Sequence, residues 1–452
     1  MKRRFLNVIA AGVFALSLPA FSQEIDFYGS LTAQSGIGLP NADDNKGKFL
    51  TGLTVFDGTM RSYLGQSMAY VNGQVIFDAI GSQSTNGYSA FAADNGNFAL
   101  HLKEAYLDWR GELFALRVGR QIAAWGKADG IQVADVLCPK DDSKMIASTY
   151  KDSRLGIDAV RLSLLTDKAQ FDAYWIPIFT PSLLPLAKNN PLRKCILPDS
   201  YEGMPVSAPQ KFDDFDLPDR AIYNGEYALR ASTYLSALDL SFYGFYGWDD
   251  SPFMSYSLSA DDEGNPTGVR VNGQYKRMAM LGADAAIPAG NFVFRFETAY
   301  FPLRSIQTGK EYQKNQQLAG KTFDSCRKHH QVVGLAGFDW TPSGGWTVTA
   351  QYVGDVICDY NSELERKLYE HQLTLSLEKS FINETLTFTA TGALDLNELS
   401  STAELECAYS FSDAITLSAI VDLFLKGIDG KEGQYGAYES LSCGTLKAKI
   451  SF

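Results

Sequence analysis

Residues 444–452 read Gly-Thr-Leu-Lys-Ala-Lys-Ile-Ser-Phe, and the spacing in that stretch decides the fold. Successive side chains of a strand point to opposite faces, so Leu446 and Ile450 fall on one side and Thr445, Lys447, Lys449 and Ser451 on the other. A lysine facing lipid at mid-membrane costs roughly 2 to 4 kcal/mol, so in a membrane strand the lysine face looks inward to water. A soluble protein seldom places an aromatic residue, here Phe452, at the close of such a run.

The rhythm recurs upstream. Phe292, Phe294, Phe296, Thr298 and Tyr300 oppose Val293, Arg295, Glu297 and Ala299, and Leu373, Leu375 and Leu377 oppose Gln372, Thr374, Ser376 and Glu378. Trp346, Val348, Ala350 and Tyr352 oppose Thr347, Thr349, Gln351 and Asp355. Short turns fall at Arg110-Gly111, Thr166-Asp167, Ser236-Ala237, Pro288-Ala289-Gly290, Pro342-Ser343-Gly344, Ile382-Asn383 and Ser412-Asp413. Between them lie long connections at about 126–153, 178–223, 248–274, 303–328, 358–367 and 427–440.

Alternating short and long connections point to an all-β, transmembrane, antiparallel up-and-down β-barrel with short periplasmic turns and long extracellular loops. A soluble sandwich has no reason to keep that asymmetry. Counting back from the last strand gives about 18 strands, with 16 as the fallback, because Gly52, Gly58 and Gly65 blur the pattern over 50–65. Closure is required, since every amide facing hydrocarbon must be paired. Trp109, Trp175, Trp248, Trp340 and Trp346 lie near predicted strand ends, where aromatic residues collect at membrane interfaces. In ending on Phe452 the chain resembles outer-membrane barrels, and the resemblance implies recognition of Phe452 by the barrel assembly machinery.

At the other end, Lys2, Arg3 and Arg4 precede an apolar run from Val8 to Leu18 and a small-x-small site at Ala20-Phe21-Ser22. This is a signal peptide over 1–22, leaving 23–452 as one barrel in the outer membrane. No plug domain is expected ahead of the first strand. Removal of the signal takes the formal charge from -12 to -15, with 37 Lys and Arg against 52 Asp and Glu. That balance argues against nucleic acid as a partner. Outer-membrane lipid and a small-molecule solute are the expected partners, with a homo-oligomer or an envelope complex left open. No cofactor is expected, and no metal, because no Cys-x-x-Cys or Cys-x-x-His spacing occurs.

Two segments stand out. Leu116-Arg117-Val118-Gly119-Arg120-Gln121-Ile122-Ala123-Ala124-Trp125-Gly126 is followed by Ala128-Asp129-Gly130, Asp135 and Pro139, and Trp175-Ile176-Pro177-Ile178-Phe179-Thr180-Pro181 runs on to Leu184-Pro185. Over 116–185 these resemble a group of porin-like bacterial outer-membrane barrels similar to alginate-export channels. The resemblance implies a channel whose early loops fold inward, and it carries over no catalytic residue. Gly119 and Gly126 allow a bend, Arg117 and Arg120 straddle Gly119, and Asp129 and Asp135 follow on the loop. Turned inward, these residues make a constriction with basic and acidic sides. The plainer alternative pairs the arginines with Asp108, Asp158 or Asp172 to neutralise buried charge. The connection 178–223, broken by seven prolines from Pro181 to Pro218, either caps the pore or covers the outer surface.

Pore-lining candidates are therefore Arg117, Arg120, Asp129, Asp135, Asp172, Arg230, Arg295, Glu297, Lys447 and Lys449. Cys138, Cys195, Cys326 and Cys358 lie in or beside predicted outer loops, where disulfides are permitted, with Cys138–Cys195 and Cys326–Cys358 the local pairings; Cys407 should face lipid and Cys443 the lumen. The only cluster suggesting a barrel enzyme is His329-His330 beside Asp324-Ser325, and adjacent strand residues cannot both serve one site. The expected function is a non-enzymatic porin for passive or facilitated diffusion of small solutes. The alternative is a loop-plugged barrel acting as an adhesin or docking component, and a barrel hydrolase ranks third.

Overall fold

The computed structural model describes residues 24–197, 199–201, 203–263 and 266–452; the signal peptide and its cleavage site lie outside the described residues. Eighteen strands close into a barrel. They are β1 Glu24–Gly38, β2 Phe49–Leu64, β3 Ser67–Asp78, β4 Phe98–Arg110, β5 Phe114–Gln121 and β6 Ile157–Leu165. Next come β7 Ala169–Ile176, β8 Glu226–Leu235, β9 Leu238–Trp248, β10 Arg277–Ala289, β11 Phe292–Gln307 and β12 Cys326–Trp340. The last six are β13 Trp346–Ile357, β14 Tyr369–Phe381, β15 Leu386–Asp395, β16 Ser401–Ser412, β17 Ile415–Leu425 and β18 Cys443–Ser451. Each pairs antiparallel with its sequence neighbours, and β18 returns to β1 from Ser30↔Ser451 to Gly38↔Cys443.

The terminal stretch makes that seam. Gly29 and Phe452 exchange backbone hydrogen bonds of 2.9 and 3.0 Å, so pairing runs to the last residue. The Phe452 ring lies about 6 Å from those of Phe27 and Phe56. Outward positions are apolar and uncovered all round: Phe27, Leu107, Leu229, Phe242, Leu281 and Leu446 each keep more than half of their surface exposed. A belt of that kind suits hydrocarbon and not water. The region of the three glycines resolves as one strand, β2, ending at Leu64 just before Gly65, which opens the turn with φ +58. That settles the count at eighteen, with no need for the fallback.

Connections at the turn pole have two to five residues. At the other pole most are long, but 396–400 has only five residues. Its Glu398 is bonded by Lys367 and Lys431 from the connections on either side. The connections 177–225, 249–276 and 308–325 fold together over this mouth. Strands 253–260 and 266–274 pair antiparallel, 204–207 adds in parallel, and 200–201 completes a small sheet. A helix, α1 Lys310–Leu318, lies along it, with Gln313 and Gln317 side chains accepting from the Tyr256 and Leu258 amides. Phe179, Leu186, Leu197, Phe212, Phe215 and Tyr275 fill the space beneath.

Candidate functional site: the lumen and its inward loop

The connection 122–156, here loop 3, leaves β5 and enters the barrel. Its entry is held by one carboxylate: Glu297 of β11 accepts from the amides of Lys127, Ala128 and Ala134 at 2.6 to 2.8 Å. Gly126, with φ +84, donates to the Tyr243 hydroxyl at 3.1 Å. A Cβ at Gly126 would collide with the Glu297 carboxylate, so glycine is required by close approach as well as by φ. Farther on, Gln351 of β13 takes both backbone groups of Asp129, at 2.9 and 2.8 Å. The Ala147 amide reaches Asp422 of β17 at 3.2 Å. Loop 3 thus spans the lumen.

One side of the barrel is dry. Trp125, Val133, Ala134, Val136 and Leu137 of loop 3 pack on inward residues from β6 to β13, including Ile157, Tyr174, Tyr243, Met280 and Phe301. The Trp125 ring is 4.9 Å from that of Tyr243 and 6.1 Å from that of Tyr174. A lumen polar throughout, as the strand alternation suggests, is thereby corrected: small and aromatic inward residues on this side match an apolar loop, and burying both removes them from water.

The other side is wet. A cavity of about 1230 Å³ lies between loop 3 and the wall of β11 to β17, where Thr374, Ser376, Thr391, Gly392 and Thr402 give a low polar surface. Charges edge it in pairs. Arg304 meets Asp249 at 2.8 Å, Arg366 meets Asp355 at 2.6 Å, and Gln331 joins the two by accepting from Arg304 and donating to Asp355. Lys144 meets Asp141 at 3.1 Å. Lys140 donates to the Tyr150 hydroxyl at 2.8 Å and lies 4.1 Å from its ring.

Burial perturbs these loop groups. It lowers Lys140 to about 8 against the opposing pull of Asp135, Asp142 and Asp250. Asp250 is raised well above the usual carboxylate range by burial and then by the charges of Glu226 and Asp249. Burial also raises Asp142. Asp141 is equally buried, but Lys144, His101 and the Ser143 hydrogen bond overcome that and hold it at about 2.

The ten candidate residues separate under this geometry. Asp129 lines the cavity. Arg117 faces the lumen near the turn pole, paired with Asp108 at 2.8 Å and 4.1 Å from the Tyr106 ring. Arg120 does not face it. It shares a strand face with Asp158, opposite to the face carrying Ile157 and Ala159, and bonds Asp158 at 2.6 Å and the Tyr88 carbonyl at 3.0 Å. Asp135 is 3 % exposed and serves inside loop 3, accepting from Trp125 N and pairing with Arg154 at 2.7 Å. Asp172 is buried on the dry side among Ser163 and Gln170, in register with Arg230. Arg295 pairs with Asp339 and donates to the Lys127 carbonyl, so together with Glu297 it anchors loop 3. Lys447 and Lys449 are inward, alternating with exposed Leu446 and Ile450.

All six cysteines are free. Cys138 is buried in the dry cluster while Cys195 packs in another with Ile196 and Tyr438, so that pairing is not formed; Cys326 opens β12 and Cys358 follows the end of β13, paired with neither. His330 bonds the outward Tyr300 at 2.7 Å, whereas His329 is buried opposite Arg304, and Asp324 turns to Arg327. The hydrolase cluster does not assemble.

The alternation missed Arg304 and Arg366. Arg304 is out of phase with Arg295 and Glu297, and a bulge at Pro302-Leu303, with Leu303 at φ +49, turns it inward. Pro302 was the available signal. Arg366 lies on a connection, where no period applies.

The family described as "Protein of unknown function (DUF1302)" matches residues 31–412. The chain belongs to this family. Among curated proteins none matches it. Solved structures share its fold at low identity. The chain is similar to Acinetobacter baumannii OccAB1 (10% identity, TM-score 0.51, 95% of this chain and 96% of that one) and to Pseudomonas aeruginosa OccK8 (OprE) (10%, 0.51, 95% and 98%). It is also similar to Pseudomonas aeruginosa OccK2 (OpdF), solved in complex with glucuronate (9%, 0.50, 95% and 97%). This DUF1302 member is a closed eighteen-stranded β-barrel with an outward apolar belt, the barrel fold that those structures share.

Proposed function

We propose that the chain is an outer-membrane channel for passive or facilitated diffusion of small polar solutes, with loop 3 and the wall of β11 to β17 forming the selective passage. The observation that carries this reading is the wet cavity of about 1230 Å³ beside a firmly tethered loop. Paired charges give a solute a field with both signs and little net pull, and the tether keeps the aperture constant. His329, His330 and Asp324, the cluster that suggested hydrolysis, turn to separate partners. Phe452 serves assembly, and the exposed belt meets lipid or a second copy of the chain. Purified barrel in liposomes should give size-dependent swelling rates over a series of small sugars and amino acids, and stepwise conductance in planar bilayers. Silent bilayers and unswollen liposomes would overturn it.

A second reading is supported by the folded cap over the outer mouth, with its small sheet and α1. A cap so ordered could present a docking surface for an envelope partner or adhesin target while the barrel stays closed. Deleting 199–215 separates the two: a channel gains conductance, and a docking barrel loses its partner with no current before or after.

A further inference from the structure

Near the turn pole, far from the cavity, five adjacent strands place planar side chains in one inward row. Tyr28 of β1, Arg61 of β2, Tyr70 of β3, Tyr106 of β4 and Arg117 of β5 form it. Register sets the row: Arg61 is directly opposite Tyr70, and Tyr70 directly opposite Tyr106. The groups stack. Arg61 lies 5.0 Å from the Tyr28 ring and 5.3 Å from that of Tyr70. Tyr70 and Tyr106 are 5.0 Å apart and 18° from parallel, and Arg117 is 4.1 Å from Tyr106. Both neighbours of Tyr70 and of Tyr106 within the row are thus filled. Among the described residues Tyr28 has a row partner on one side only, and it keeps 36% of its surface open.

Charge narrows what could continue the column. Arg117 is paired with Asp108 at 2.8 Å. Arg61 is in register with Asp26, and Asp57 follows on its own face of β2, held by Asn72 and Gln74. Arg117 is paired with its carboxylate and Arg61 has Asp26 across from it on the same face, so acidic groups accompany both arginines and the row offers an anion little surplus attraction. It is also open to water, which gives a saturated chain no dry slot. An aromatic ring, with its negative faces and positive edge, gains from an offset neighbour and from a cation one ring away.

We propose that the open side of Tyr28 is a stacking subsite for neutral planar solutes, the class of heteroaromatic rings, at the periplasmic mouth. A bound ring extends a column already made of rings and guanidinium groups, and Arg61 behind Tyr28 strengthens the stack. Its place on a permeation route rests on the channel reading, so the test measures binding and not flux. Caffeine serves as a water-soluble planar probe, and trans-1,4-cyclohexanediol as its saturated control, with saturation-transfer NMR on the full barrel in nanodiscs. Caffeine should bind, the diol should not, and Tyr28→Phe should retain binding. Tyr28→Leu, apolar but without a π face, should weaken it about fivefold, the size of one aromatic contact. Equal caffeine affinity in wild type and Tyr28→Leu, or an equal signal from the diol, would overturn the proposal; absent conductance with intact caffeine binding would remove the channel reading and leave the subsite.

Discussion

The dry and the wet sides of the lumen share one outer surface and differ only within. Outside β6 to β10, Leu162, Phe242 and Leu281 are exposed to about the same degree as Leu375, Phe388 and Leu405 outside β14 to β16. Inside, the first set carries Ala159, Tyr174, Ala228, Tyr243 and Met280, and the second Thr374, Ser376, Thr391, Gly392 and Thr402. Lipid imposes the same pattern on every strand, so the outward half of the alternation reports the fold. The inward half is free to vary and reports where the loop lies and where solute can pass.

The comparison breaks most completely if the loop is released. Glu297→Ala removes the acceptor of three loop amides, that of Ala134 buried and those of Lys127 and Ala128 partly so, and a buried donor costs about 1 to 3 kcal/mol when unpaired. Loop 3 should then leave the dry wall, with single-channel conductance rising at least about twofold and loop 3 becoming open to trypsin at Lys127. Unchanged conductance and protection would mean that the apolar contacts alone hold the loop. Trp125→Ala asks the converse question of packing. It deletes a 4 % exposed indole against Tyr243 and Tyr174, a loss of about 3 to 5 kcal/mol in a filled core. The polar tethers remain, so partial protection and noisier current are expected, intermediate between wild type and Glu297→Ala.

A smaller effect sharpens the wet side. Arg304→Gln with Arg366→Gln leaves Asp249 and Asp355 without their cations while keeping the cavity's shape. One unit charge at about 6 Å in water is worth about 0.7 kcal/mol, or roughly threefold in ion partition. The zero-current potential in a potassium chloride gradient should therefore move towards cation preference. No movement would place the passage away from β11 to β14.

Much of this was legible and the remainder was not, for identifiable reasons. Period-2 alternation and turn asymmetry carry eighteen strands, their sidedness and the closing role of 444–452, because lipid enforces them residue by residue. Glu297 was legible as inward, but not as the post that holds loop 3, since its partners are backbone amides about 170 residues away in sequence. For Arg120 the sequence left two readings open, and the structure has the second, the pair with Asp158, because an arginine can satisfy itself across the wall instead of facing water. Arg304 failed because one bulge shifts the phase. Asp135 and Arg366 lie on loops, where position follows from tertiary contacts and not from any period.

The finest distinction between the two sides is in titration. Lys140 sits where the loop meets the cavity, with its ammonium lowered to about 8 by burial. Between pH 7 and pH 9 it gives up its charge. That loss makes the passage more negative, so cation preference should rise across that window, and Lys140→Gln should flatten the rise. Stability carries a matching sign. Because the folded lysine titrates below its unfolded value near 10.4, the unfolded chain holds the extra proton between about 8 and 10.4, and this group's penalty is relieved as pH rises. A conductance ratio flat from pH 7 to 9 in wild type would show Lys140 solvated and its neighbourhood wetter than the contacts with Tyr150 imply.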